Sequence, residues 1–467
     1  MSEDRQAGTS APTPGGSSGP DTPVSGDPTP AVAPDPIPIG PVAAPERIAS
    51  VDVLRGFALL GILVMNIVAF ALPDAAYGNP PVAGGFEGAD FAAWLFSHLF
   101  FELKMMTIFS MLFGAGLVLL ADRADARGAR AGRLYYRRIG WLAVIGLLHA
   151  YFLWWGDILV GYAECGLLLY LFRRKSPRTL FVAGSLFLLT AVPLFLGFSF
   201  LISTMQRKAG EAEAALAAGK TLEQLTPEQR SMLEEWRKVR KDFQPTPEEI
   251  AAEVAVYRDG YVGIFLRRAP KVLMFQTVFF FIFILWRVAG VMLVGMALMK
   301  MGVFSAARSP RFYALSMVVG YGLGLPLVAY GARQLVAHGF EVTYLMGPGM
   351  FYNYFGSLLV AMAHVGLVMR ACQAGLLRGL QRRLGAVGRM ALTNYLMHTL
   401  IATTLFYGYG VGLFAHLGRA QLLAVVAAIW ALQLVVSPLW LARFRFGPAE
   451  WAWRSLTYGR AQPMRAS

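Results

Sequence analysis

The stretch "GLLHAYFLWWGDILVGYAECGLLLYLF", Gly146 to Phe172, is apolar enough for lipid and yet holds His149, Asp157 and Glu164. An Asp, Lys or Arg at the centre of a membrane helix costs about 2.5–3.5 kcal/mol on insertion scales. Such residues are therefore either hidden in a bundle with partners or used for chemistry there. Two apolar arms flank "WWGD", so the stretch reads as a helical hairpin with His149 in one arm and Asp157 at the tip. That reading sets the fold class, an all-α integral membrane protein.

The rest of the chain repeats the pattern. Its 467 residues are 56% hydrophobic and 15% charged, where a soluble domain has about 25% charged residues. Apolar runs of roughly the 20 residues that span a bilayer occur at 51–72, 92–121, 138–155, 158–172, 179–204, 272–299, 313–334, 352–371, 387–408 and 421–442. They predict a bundle of about ten transmembrane helices embedded in the lipid bilayer. The second run is long and carries Glu102 and Lys104. Its first half reads as an interfacial segment or a separate short helix.

Charge orients the bundle. The net charge is +14, but the arginines gather in loops between apolar runs. Arg123, Arg127, Arg130, Arg133, Arg137 and Arg138 lie in one such loop. Arg173, Arg174, Lys175 and Arg178 lie in the next. Lys300, Arg308 and Arg311 follow the sixth run, Arg378, Arg382 and Arg383 the eighth, and Arg443, Arg445, Arg454 and Arg460 the tenth. All fall on one side if the N-terminus does, and the positive-inside rule makes that side the cytoplasm. The expected location is the bacterial cytoplasmic (inner) membrane, multi-pass, with both termini cytoplasmic. The charge thus has a topological reading, and nucleic acid is not an expected partner.

The expected organisation has five parts. Residues 1–46, rich in Pro, Gly and Ser, form a disordered cytoplasmic tail. Residues 47–205 form an N-terminal transmembrane half. Residues 206–268 form an extracytoplasmic amphipathic helical insert. Residues 269–445 form a C-terminal transmembrane half, and 446–467 a basic amphipathic tail. In the insert "TPEQ" and "TPEE" read as helix starts, with Thr as N-cap and Pro at the first position. Cys165 and Cys372 have no metal or disulfide spacing, and no metal site is expected.

Several polar residues lie at membrane depth. Arg55 is about one turn into the first helix, with Asn66 eleven residues on and on much the same face. His149 and His398 lie deep in their helices, and Asn394 shares a face with His398. Arg389 marks the end of that helix, and Arg287 is near mid-helix. Asp157, Glu102 and Lys104 lie nearer the outer surface. Simpler readings compete: an Asp52–Arg55 pair, Arg287 paired with a carboxylate such as Glu164, a packing role for His364, and interfacial places for His98, His338 and His416.

Five motifs in order carry a resemblance: "RIASVDVLRGFALLGILVMN", "FELKMMTIFSMLFGAG", "GLLHAYFLWWGDILVGYAECGLLL", "GRMALTNYL" and "FGPAEWAWRSLTYGR". Together they resemble the YeiB-like family of bacterial membrane proteins, which contains domain of unknown function 418, over residues 47–460. The spacing of Arg55 and Asn66 is also similar to the first helix of heparan-alpha-glucosaminide N-acetyltransferase-like and acyltransferase-3 proteins. Asn66 stands where acyltransferase-3 proteins have histidine.

That second resemblance implies acyl transfer from cytoplasmic acyl-CoA to a sugar or other hydroxyl or amine acceptor, with no bound cofactor. In this reading Arg55 and Arg389 bind CoA phosphates. His149 or His398 serves as general base, Asp157 orients it, and Asn66 donates to an oxyanion. Asn394, Arg287, Glu102 and Lys104 are further substrate-binding candidates. The alternative is a small-molecule transporter, possibly proton-coupled by the charged groups at midplane, in which Gly320, Gly322, Gly324 and Pro326 break the seventh helix.

Overall fold

In a computed structural model, residues 47–126 and 131–465 are described. The tail at 1–46 and the loop residues Arg127 and Arg130 lie outside the described residues. In chain order the helices begin with α1 (Ala49–Ala71), α2 (Gly88–Phe100), α3 (Lys104–Ala126), α4 (Ala131–Phe152), α5 (Leu159–Leu169) and α6 (Pro177–Ala217). The insert and the next span form α7 (Pro227–Phe243), α8 (Pro247–Arg258), α9 (Tyr261–Met274) and α10 (Leu285–Lys300). Then come α11 (Pro310–Ala337), α12 (Val342–Leu345), α13 (Pro348–Ala374), α14 (Arg378–Arg389), α15 (Ala391–Phe406), α16 (Arg419–Arg443) and α17 (Pro448–Tyr458).

The chain is an all-α membrane protein. Seven described helical stretches are long and apolar enough to cross a bilayer: Ala49–Ala71, Gly88–Arg123, Pro177–Ala217, Tyr261–Lys300, Pro310–Ala337, Val342–Ala374 and Arg419–Arg443. The other three expected runs fall on α4, on α5 with its short extension to Phe172, and on α15, which are shorter or less apolar. Burial separates the roles of the helices. The most apolar window of α1 is 61% buried, whereas those of α6, α11 and α16 are only 22%, 22% and 28% buried. The outer three turn Phe200, Val318 and Leu439 outward, which suits lipid and would be costly in water.

The second run takes its separate-helix alternative, and three other expected boundaries change. The second run is two helices, because Leu103 takes a left-handed φ of 63° between α2 and α3. The ninth run begins at Ala391 rather than 387, since Val387 and Arg389 end a separate helix, α14. α6 runs on to Ala217 because "GEAEAALA" favours helix, and Gly219, at φ 92°, lies just past its end. The sixth run is part of one stretch from Tyr261 to Lys300, with a π-helical section at Phe275–Ile284.

The expected break in α11 does not occur; the helix is continuous through Pro326. Its glycines serve packing. A Cβ on Gly320 would meet the Leu359 carbonyl, and one on Gly324 would meet Leu359 and Val360. Small residues thus let α11 and α13 approach closely, a common device where no hydrophobic force drives helices together.

In the insert, Thr226 and Thr246 are the N-caps of α7 and α8, each with a capping box completed by Gln229 and Glu249. Each satisfies backbone N–H groups that the first helical turn leaves unpaired.

Candidate functional site

The α4–α5 hairpin places its two polar residues in direct contact. His149 Nδ1 is 2.7 Å from Asp157 Oδ2, and its Nε2 is 2.8 Å from Thr399 Oγ1 on α15. Asp157 Oδ1 accepts from the Val160 backbone N–H at 2.9 Å, so the carboxylate also caps the start of α5. All three side chains are buried. A carboxylate beside Nδ1 accepts a hydrogen bond from the ring N–H there, which keeps the proton on Nδ1 and leaves Nε2 as acceptor for the Thr399 hydroxyl. The order hydroxyl, imidazole, carboxylate matches the hydrogen-bond geometry of an activated nucleophile.

α15 has two polar faces. Tyr395 and Thr399, four residues apart, turn toward His149, whose ring lies 5.2 Å from the Tyr395 ring. Asn394 and His398 turn toward α16. There His398 Nε2 meets Gln433 Oε1 at 2.8 Å, and the Asn394 amide donates to Ser437 Oγ at 3.1 Å and to the Val387 carbonyl at 3.2 Å. Gln433 donates in turn to the Asn394 carbonyl at 3.0 Å. The second group ties two helices together and includes no carboxylate.

A cavity of about 250 Å³ runs up the bundle beside the first face. Its wall on α1 extends from Ile48 to Ile62, about 21 Å at the helical rise. Leu112, Phe113, Leu117 and Leu142 line an apolar shaft. Ile158, Leu159, Tyr162 and Tyr395 also line it; Ile158 directly follows Asp157, and the Tyr395 ring stands against His149. The buried Tyr395 hydroxyl donates to no acceptor among the described residues.

The mouth is basic. Arg47, Arg55, Arg123, Arg138, Arg389 and Arg454 line it, with Asp52 and Glu450 as the carboxylates among the described residues. Arg55 is 3.0 Å and Arg47 3.8 Å from Asp52, so the expected Asp52–Arg55 pair exists within a larger group. Burial lowers the Arg454 pKa to about 10, with Arg138 and Arg47 adding to the effect. Burial also lowers that of Arg47; Asp52 opposes this, while Arg389, Arg55 and Arg123 reinforce it. A dianionic ligand at the mouth would relieve this crowding.

Local packing brings these charges together. α14 crosses α1 so closely that a Cβ on Gly388 would strike the Asp52 carbonyl, and one on Gly56 the Leu384 carbonyl. That crossing sets Arg389 beside the first turns of α1. Across the break at Met390, Glu450 of α17 accepts from the Leu392 and Thr393 N–H groups at 2.6 and 3.1 Å, and from the Thr393 hydroxyl at 2.5 Å. A carboxylate from another helix thus caps α15 at its positive end. Burial raises the Glu450 pKa, and its hydrogen bonds partly offset this.

The remaining predicted residues lie elsewhere. Arg287 donates to the Tyr354 carbonyl at 2.9 Å, Ser357 Oγ at 2.7 Å and Thr107 Oγ1 at 3.0 Å. These hydroxyls and a carbonyl take the place of the expected carboxylate. Lys104 is fully buried and donates to the His98 carbonyl at 2.6 Å and Asn353 Oδ1 at 2.7 Å. Glu102 pairs with His98, which is buried against Trp94. His364 has polar partners, the Tyr321 hydroxyl at 2.7 Å and the Phe100 carbonyl at 2.9 Å. Asn66 is half-buried on α1 and is not a lining residue of the cavity.

Sequence reasoning did not single out Thr399, Tyr395, Arg47 or Glu450. Tyr395 and Thr399 were within reach of it, since both flank Asn394 and His398 in "TNYLMHT". Their facing toward α4 depends on tertiary packing.

The chain is 32% identical to "Uncharacterized protein YeiB" of Escherichia coli (strain K12) over 424 residues, covering 90% of this chain and 98% of that protein. It is 30% identical to "Uncharacterized protein YxaH" of Bacillus subtilis (strain 168), covering 91% and 97%. The chain belongs to the YeiB-like DUF418 family. Residues 298–460 match the family description "Protein of unknown function (DUF418)". In this YeiB-like chain that region supplies Arg389, Tyr395, Thr399 and Glu450, while His149, Asp157 and Arg55 precede it. A YeiB-like site of this layout therefore needs both halves. No solved structure matches the chain.

Proposed function

We propose that this YeiB-like protein is a membrane acyltransferase that takes an acyl group from acyl-CoA and passes it to a hydroxyl or amine acceptor. The observation that carries the reading is the cavity, which joins a mouth of six arginines to an apolar shaft lined in part by neighbours of His149 and Asp157. Arginine guanidinium groups suit phosphate recognition. The shaft follows α1 for about 21 Å, which suits a thiol arm with its acyl end. Its volume is somewhat below the ~300–1,000 Å³ typical of small-molecule pockets, so the nucleotide stays at the mouth.

In this reading the basic end faces the cytoplasm of the bacterial inner membrane, where acyl-CoA is found. Arg55 and Arg389 hold the phosphates. His149 removes a proton from the attacking group, and Asp157 fixes the imidazole tautomer and stabilises the imidazolium that forms. Tyr395 donates to the developing oxyanion in this reading, in the role expected of Asn66. The His398 pair with Gln433 contributes packing.

The test is acyl release from acetyl-CoA and octanoyl-CoA, labelled in the acyl group, by purified full-length protein in lipid nanodiscs. Release above the protein-free rate that depends on His149 supports the reading. No binding and no release with either compound overturns it.

A further inference from the structure

We propose that Thr399 is the nucleophile of a double displacement and carries the acyl group as an ester between donor and acceptor. This rests on the acyl-CoA reading above and goes beyond it, because that reading needs only a base. The observation is the hydrogen-bonded series Thr399 Oγ1, His149 Nε2, His149 Nδ1, Asp157 Oδ2, with separations of 2.8 and 2.7 Å. A base waiting for an outside hydroxyl would leave Nε2 open to it. Here the position is filled by a side-chain hydroxyl on a neighbouring helix.

The rest of the constellation is ordered. The Val160 N–H holds the second Asp157 oxygen at 2.9 Å, which leaves the first for the imidazole. Tyr395, one helical turn before Thr399 on the same face, lines the cavity and stands against the imidazole. A thioester carbonyl brought past the Tyr395 ring meets the Thr399 hydroxyl on one side and the Tyr395 hydroxyl proton on the other. Thr399 is itself buried, so the reaction requires the Tyr395 ring to swing aside.

The steps balance. Thr399 Oγ forms a bond to the acyl carbon while its proton passes to His149 Nε2. The C–S bond then breaks, His149 returns the proton to sulfur, and coenzyme A leaves as the thiol. In the second half the acceptor hydroxyl gives its proton to His149 and its oxygen bonds to the acyl carbon. The Thr399 ester bond breaks, and Thr399 recovers the proton. No oxidant, reductant or metal is needed.

The experiment incubates full-length protein in nanodiscs with acetyl-CoA, without acceptor, and measures intact mass and peptide masses. An acetyl ester on Thr399, absent in Thr399→Val and His149→Gln, is expected. Thr399→Ser keeps the hydroxyl and should retain turnover within about tenfold, whereas Thr399→Val should lose about 10²–10⁴-fold, the range of a positioned proton-transfer step. Near-wild-type turnover by Thr399→Val, or an acetyl group on His149 instead, overturns the nucleophile while leaving the acyl-CoA reading intact. Absence of both binding and turnover in the wild type overturns that reading and this proposal with it. If Thr399→Val fails to fold, the ester on wild-type and Thr399→Ser protein decides, and its absence during turnover is the overturning result.

Discussion

His149 and His398 are both buried within the bundle and both touch α15, yet their surroundings differ. His149 has a carboxylate on one nitrogen and a hydroxyl on the other, beside a cavity that opens among arginines. Among the described residues, His398 has an amide on one nitrogen, no partner on the other, and no carboxylate in its group. Burial alone thus does not separate the two. What distinguishes the two is a partner that can stabilise an imidazolium, together with a route by which a ligand can arrive.

The sharpest way to break this comparison is a matched pair of substitutions. His149→Gln should lower acyl-CoA turnover by about 10²–10⁴-fold, while His398→Gln should leave it within about threefold, in steady-state assays on folded protein. Equal losses would erase the distinction.

The next effect concerns two kinds of arginine. Arg55→Ala and Arg389→Ala should each weaken acyl-CoA binding by about 10–100-fold, the worth of a charge-assisted hydrogen bond at 1.5–3 kcal/mol. Arg55→Lys should fall between, since it keeps the charge and loses the planar fork. Arg287→Met should spare affinity and change only thermal stability, because its partners are the Tyr354 carbonyl and two hydroxyls outside the cavity. Equilibrium binding with melting curves separates the two classes.

Gly388→Ala probes the crossing that builds the mouth. The new methyl has no room against the Asp52 carbonyl, so the substitution should cost about 1–3 kcal/mol of stability, as overpacking does. It should also weaken acyl-CoA binding by moving Arg389. The smallest effect is expected at the insert. Thr226→Ala removes a capping box from α7, worth about 1 kcal/mol in that helix, and hydrogen exchange there should rise with turnover unchanged.

Much of the fold was legible because each apolar run carries its own signal. The caps Thr226 and Thr246 were equally local, since Thr-Pro-Glu specifies a helix start within four residues. The breaks were harder. Nothing in "FELK" announces that Leu103 adopts positive φ, and the start of α15 is capped by Glu450, some sixty residues away. The glycines of α11 have two opposite readings, and only the position of α13 chooses packing over a break. In the site, His149 and Asp157 are eight residues apart across a bend, so their pairing depends on the turn at Trp154–Gly156. Thr399 joins them only through the contact of the His149 side chain with α15, which no local pattern encodes.

The central claim is that an acyl donor lies in the cavity with its phosphates at the arginines and its acyl end beside His149. Photo-crosslinking with an acyl-CoA bearing a diazirine near the thioester tests it most directly. The account predicts labelling at Ile158–Leu159 or Tyr395, suppressed by excess unlabelled acyl-CoA and reduced in Arg55→Ala. Labelling confined to lipid-facing residues of α6, α11 or α16, or labelling that excess acyl-CoA does not suppress, would contradict it.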